Sequence, residues 1–123
     1  MDMVSGVGVV DKSVAVLEAV HEHGALSLGE LVSATGLPRP TAHRLAAALE
    51  AHRLLRRDDA GRYRLGLRLA AWGTAAADQS GWLEAARPVL VELRDRTGES
   101  VQVYVRDGDT RVCVASLERR GEG

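Results

Sequence analysis

The sequence predicts an α+β fold, mainly helical, in which three short helices are closed by a two-stranded, arginine-rich ribbon. A further helix, then another helix with a hairpin, follow the ribbon. Three observations predict this order. Apolar residues recur at three- and four-residue steps in five separate stretches. Two pairs of β-rich runs flank the turn-forming segments Asp58–Gly61 and Asp107–Thr110. Gly or Pro punctuates most of the joins.

The first helix is expected from Asp11, a good N-cap, through Val14, Leu17 and Val20 to a stop at Gly24. Leu26 makes a short link. Ser27-Leu28-Gly29-Glu30 has the spacing of a capping box, so the second helix starts there and stops at Gly36. Pro38 and Pro40 cannot continue a helix but fit the first turn of a new one, running from about Arg39 to His52. Its pattern puts Ala42, Leu45, Ala46 and Leu49 on an inner face and Pro40, His43, Arg44 and Ala47 on the outer one, with Arg39 and Thr41 at the margins.

Leu54–Arg57 and Arg62–Leu65 read as two strands around Asp58-Asp59-Ala60-Gly61. An Ala-rich helix from Leu67 to about Ala77 follows Gly66, and Asp78–Gly81 reads as a hinge. Trp82, Ala86, Val89 and Leu93 form the stripe of a fifth helix, with Pro88 expected to kink it. Ser100–Val105 and Arg111–Leu117 make the last hairpin.

Length and composition narrow the function. The 123 residues, 46% hydrophobic and 27% charged, suit one ordinary globular domain or a small one plus part of another. Charged residues or His interrupt every apolar run, so no membrane span is expected. The N-terminus lacks the basic and apolar regions of a signal peptide, and the single Cys113 cannot form an internal disulfide. The cytoplasm is the expected compartment.

The net charge of −1 argues against a nucleic-acid ligand until its distribution is read. Between Gly36 and Ala70 lie eight arginines against three acids, a local +5, whereas nine acids and seven arginines follow from Ala71 onward. Phosphate contacts release counterions locally, so a basic face suffices. That face belongs to a third helix and a ribbon, the arrangement of a winged helix-turn-helix, in which the third helix enters the major groove of duplex DNA. Arg39 and Arg44 suit bidentate reading of guanine. His43 can donate or accept, and Thr41 can meet a thymine methyl or a phosphate; Pro40 shares the same face. Arg57, Arg62 and Arg64 on the ribbon suit phosphates or the minor groove, and Ser27 sits at a helix N-terminus that favours phosphate oxygens.

Thr35-Gly36-Leu37-Pro38-Arg39-Pro40-Thr41-Ala42-His43-Arg44-Leu45, followed by Tyr63-Arg64-Leu65-Gly66, resembles the signature of the IclR family of bacterial regulators. The Gly8–Ser13 opening and Thr97-Gly98-Glu99 are also similar, so the resemblance spans nearly the whole chain from Gly6. Pro40 departs from it, standing where the family often has a serine hydroxyl. The resemblance implies a winged helix-turn-helix over residues 8–66, a linker helix and hinge over 67–80, and over 81–123 the truncated opening, a helix and β-hairpin, of an incomplete α/β effector-binding domain. It implies DNA binding as a dimer or tetramer whose subunit contacts come from the first and linker helices, with Leu67, Ala71 and Trp72 suited to that surface. A two-fold pair would read a pseudo-palindromic operator. A small-molecule effector is implied only with a complete second domain, and its contact residues stay unknown. The alternative is an interaction module that pairs with full-length relatives and modulates them.

The remaining chemistry-bearing residues carry structural readings. His21, His23 and His52 are expected as caps or surface groups, without the company a metal site needs. Cys113 is expected to be a small buried hydrophobe, the other reading being a redox or effector-sensing thiol, and Trp72 and Trp82 are expected to pack at helix–helix or subunit contacts. Tyr104 and Arg106 are expected to pack, the other reading being an effector pocket. No nucleophile stands at usable spacing from a base, and no phosphate loop or cofactor motif is present, so neither catalysis nor a cofactor is expected.

Overall fold

A computed structural model describes residues 4–79 and 81–121. The element order is α1 (Gly8–His23), α2 (Leu28–Thr35), α3 (Arg39–Ala51), β1 (Leu55–Arg57), β2 (Tyr63–Leu65), α4 (Leu67–Asp78), α5 (Trp82–Thr97), β3 (Val101–Asp107) and β4 (Thr110–Leu117). The chain divides into two compact units, one through Ala71 and one from Trp72.

In the first unit, α1 begins three residues before Asp11. The reason is the use to which that carboxylate is put. Asp11 accepts from the Ser5 hydroxyl at 2.6 Å and the Ser5 N–H at 3.2 Å, tying down the preceding loop instead of capping the helix. Its own N–H bonds to the Val7 carbonyl at 3.0 Å, so the helical ladder extends back to Gly8. Placed in the first turn, the acid still complements the helix dipole. At the other end the Gly24 N–H donates to Val20, and a ring nitrogen of His23 bonds the Ala19 carbonyl at 2.9 Å.

The capping box at α2 is complete. The Ser27 Oγ accepts from the Glu30 N–H at 3.1 Å, and the Ser27 N–H donates to the Glu30 carboxylate at 2.9 Å. Gly36 ends α2 in the left-handed conformation. Between the helices, Thr35 donates its hydroxyl to Leu31 O and accepts from the Leu37 N–H, which fixes the turn and seats Leu37 in the core.

That core gathers Val16, Ala19 and Val20 of α1, Leu31 of α2, Ala42, Ala46 and Leu49 of α3, Leu55 of β1 and Tyr63 of β2, with Leu26 and Leu37 from the links. Ala42 and Ala46 are fully buried, so the inner face of α3 presents only methyl groups at these two positions and the helices can approach closely there. Fully burying a Val or Leu is worth about 1.5–3 kcal/mol, and Val16, Val20, Leu31 and Leu55 are all buried to that degree.

Leu26 does more than link two helices. Its N–H and C=O pair with the O and N–H of Tyr63 at 3.0 and 2.7 Å, adding a one-residue bridge to β2. β1 and β2 pair antiparallel with Leu55 opposite Leu65, Arg56 opposite Arg64 and Arg57 opposite Tyr63.

In the second unit, α5 runs unbroken through Pro88, where the missing N–H costs one backbone bond, and ends at a left-handed Gly98 whose N–H donates to Arg94 O at 2.8 Å. The expected apolar stripe on this helix begins with Trp82, whose side chain lies outside the described residues. β3 and β4 form an antiparallel hairpin closed by Gly108 and Asp109, with Gly108 at φ 59°.

The hairpin corrects the expectation for Cys113, which is exposed. Ala115 and Leu117 face the half-buried side, so strict alternation would send Cys113 the same way. A register shift between Val103 and Tyr104 leaves Val114 unpaired, and Cys113 pairs with the exposed Tyr104. The bulge moves the thiol to the outer face.

Candidate nucleic-acid interface

Recognition residues come first from α3. Leu37-Pro38 delivers the chain into its first turn, and Pro40 fits the second helical position, where no backbone donor is needed. Arg39, Pro40, His43, Arg44 and Ala47 are exposed, while Thr41 is half-buried at the edge. The inner face carries Ala42, Ala46 and Leu49, as the periodicity predicts. Among the described residues, no hydrogen bond or ion pair engages the side chains of Arg39, Thr41, His43 or Arg44. Their donors therefore face outward without an internal competitor.

Ribbon arginines are held differently. Arg57 lies over the ring of Tyr63 at 4.6 Å from its centroid, donates to the Tyr63 hydroxyl, and stands 3.7 Å from the Glu50 carboxylate. Asp58 organises the turn. One of its oxygens accepts from the N–H groups of Ala60 and Arg62, both at 3.0 Å. Its other oxygen takes the Arg64 guanidinium at 2.8 Å, with Arg62 at 3.6 Å. The Arg64 hydrogen bond, then the Arg62 N–H, hold the Asp58 carboxyl below its ordinary value.

The structure thus brings Arg39, Pro40, Thr41, His43 and Arg44 together on one helix face, and Arg57, Arg62 and Arg64 on one ribbon. Ser27, at the start of α2, lies on the side of Arg39: Ser27 Oγ and Arg39 Nη1 each stand 4.0 Å from the position a Cβ would take on Gly29. Its hydroxyl oxygen is committed to the capping box, which leaves its hydrogen to donate. Arg56 was not among the sequence-derived candidates. It is exposed, sits directly across the ribbon from Arg64, and has no ion-pair partner among the described residues. Two like charges face each other there, an arrangement eased by Asp58 on one of them and by any anion on the other. The signal for it was strict alternation from Leu55, a buried residue, to Arg56.

The sequence profile of the IclR helix-turn-helix domain matches residues 9–59, which covers α1, α2, α3, β1 and the start of the ribbon turn. Over 109 residues the chain is 38% identical to the HTH-type transcriptional regulator KipR of Bacillus subtilis, a match that takes in 89% of this chain and 44% of that regulator. This chain belongs to the IclR family.

Solved IclR-type structures match the same architecture. Pseudomonas aeruginosa HmgR superposes with a TM-score of 0.78 at 28% identity, covering 94% of this chain and 50% of that one. An IclR transcriptional regulator from Alicyclobacillus acidocaldarius gives 0.80 at 26% identity, covering 95% and 48%. The chain therefore spans about half the length of the relatives it matches. Its exposed α3 face and β1 lie within the matched residues 9–59, and β2 follows them.

Proposed function

We propose that this chain binds double-stranded DNA sequence-specifically as a transcriptional regulator, with α3 in the major groove and the β1–β2 ribbon against the flanking backbone. The observation that carries this reading is the outward face of α3. Arg39, His43 and Arg44 point donors into solvent with no internal partner among the described residues, on a helix braced from behind by an all-alanine and leucine surface. Arg39 and Arg44 then read guanine edges, His43 and Thr41 read a neighbouring base or phosphate, and Pro40 keeps the helix start rigid against the groove. Arg57, Arg62 and Arg64, joined by Ser27, position the duplex through its phosphates. Relatives named as transcriptional regulators support the regulatory role.

Pairing of two chains is part of the proposal. Leu67 is 78% exposed, and Trp72, Val10 and Val14 are also exposed, so α4 and α1 both offer apolar surface. A two-fold dimer would read a pseudo-palindromic operator. Residues 8–66 act as the reading domain and 67–80 as the linker, while 81–123 belong to the effector-binding part, through which a small molecule would act given that domain in full. The cytoplasm, where bacterial DNA is found, is the compartment this reading requires. No catalytic step is assigned.

The test is selection of duplexes from a random-sequence pool with the 123-residue chain. Enrichment should converge on one motif with inverted half-sites, and Arg39→Ala with Arg44→Ala should abolish the convergence. A pool that stays random after repeated rounds would sink the sequence-specific reading.

A further inference from the structure

The outer face of α3 borders a cleft whose other wall, on α1, has no part in the recognition scheme. It lies between α1 and α3, has a volume of about 350 Å³, and is lined by Gly8, Val9, Lys12, Thr41, Arg44 and Leu45. We propose that this cleft seats one phosphodiester of the bound duplex, with the Lys12 ammonium as its main charge. The inference rests on the DNA reading and adds a contact from α1 to it.

Four observations converge on it. Every polar side chain lining the cleft is a donor, and no carboxylate lines it. Among the described residues, no hydrogen bond or ion pair engages Lys12, Thr41 or Arg44. The nearest acid in sequence, Asp11, is turned away and spent on the Ser5 hydroxyl and N–H at 2.6 and 3.2 Å. Lys12 is itself half-buried, so its side chain is partly held against the protein rather than free in solvent. An anion is what such a pocket lacks.

Committing to a duplex phosphate follows from position. Thr41 and Arg44 belong to the helix that meets the base edges, so a backbone flanking that groove passes the mouth of the cleft. The apolar walls, Val9 and Leu45, leave room for one tetrahedral group beside the Lys12 ammonium and the Thr41 hydroxyl, with the Arg44 guanidinium at the rim left to its base edge. Lysine also stands out here: Lys12 is the one lysine beside fifteen arginines in the chain. A compact ammonium with three rotatable donors fits a single phosphate oxygen where a planar fork would not.

That uniqueness supplies the experiment. Acetylation with an N-hydroxysuccinimide ester modifies the Lys12 amine and the chain's α-amine, and peptide mass spectrometry separates the two. The selected duplex at saturation should slow Lys12 acetylation several-fold and leave the α-amine unchanged. In parallel, Lys12→Gln should weaken all duplexes about tenfold at about 0.1 M salt and flatten the salt slope by about 0.9 per bound protomer, while Lys12→Arg keeps the salt slope, which follows charge, but recovers only part of the affinity. Far-UV circular dichroism of Lys12→Gln should match the parent, separating lost contact from lost fold.

Lys12 left unprotected, with an unchanged salt slope in Lys12→Gln, would overturn the phosphate seat and leave the DNA reading standing. Equal protection by inorganic phosphate alone would mark a free-anion site and likewise overturn it. A parent chain that binds no duplex overturns both.

Discussion

The position a Cβ would take on Gly66 falls against the backbone carbonyl of Arg53, with Arg53 C at 2.7 Å and Leu54 C at 2.9 Å. Arg53 is also the one described non-glycine residue with positive φ, 61°, and the Gly66 N–H donates to Leu54 O at 2.9 Å. The turn from α3 into β1 and the exit from β2 into α4 are therefore locked together, backbone against backbone. The last residue of the Tyr63-Arg64-Leu65-Gly66 motif must be glycine because of that approach, not because of its own φ.

Gly66→Ala consequently forces two backbone segments apart, and flexible side chains cannot absorb the clash. The expected cost is about 3 kcal/mol, the upper end for overpacking, read as a lower urea midpoint at unchanged m-value. Arg53→Gly should be tolerated, since glycine accepts the left-handed conformation that arginine is strained to adopt. A Gly66→Ala variant as stable as the parent would show that the two segments are not in close contact in solution.

Much of this was legible in the sequence, and the rest failed for identifiable reasons. Helix α3 and its two faces followed from spacing alone, because Ala42, Ala46 and Leu49 obey one period and the prolines fix its start. The capping box followed from Ser27 and Glu30, since both partners lie within one turn. The start of α1 did not, because Asp11 can cap a helix or a preceding loop and the choice depends on Ser5. The side of Cys113 was not legible either, since one unpaired residue, Val114, reverses a strand's alternation. Nor was the pairing of the ribbon arginines, which depends on where the turn places Asp58.

Asp58 gives a pH dependence with a defined sign. Its folded-state pKa lies below the ordinary 3.8, held there first by Arg64 and then by the Arg62 N–H. A depressed carboxyl stabilises the fold above its unfolded pKa, and that contribution disappears as pH falls through the folded value. The Asp58→Asn variant should be less stable than the parent at pH 7, with the gap closing as pH falls below about 4. Paired urea titrations at pH 7, 5 and 3 check this. A gap that widens in acid would contradict the Arg64 pairing.

Cys113 should behave as an accessible thiol. Its sulfur lies on the outer face of the hairpin beside Tyr104, 3.4 Å from the Ala115 carbonyl. The native 123-residue chain should react with a thiol reagent such as Ellman's at a rate close to that of the urea-unfolded chain, with one equivalent released per chain. Slow labelling that needs denaturant would mean that the surface is covered in solution, by a second copy or by a different β4 register.

The two classes of arginine should separate in binding assays. Arg44 stands on α3 without an internal partner among the described residues, so Arg44→Ala removes a contact and disturbs no other side chain. It should cost about 1–3 kcal/mol on the selected duplex and relax preference at one base pair per half-site. Arg64 is tied to Asp58 at 2.8 Å, so Arg64→Ala removes a phosphate contact and also leaves Asp58 with only Arg62 and the turn N–H groups. Its loss should weaken every duplex to a similar extent, and a second change, Asp58→Asn, should recover part of that affinity by removing a negative charge that Arg64 no longer offsets. Fluorescence anisotropy across single-base variants of the selected site distinguishes them. An Arg64→Ala variant that alters preference at one base pair would move Arg64 from the backbone to a base edge.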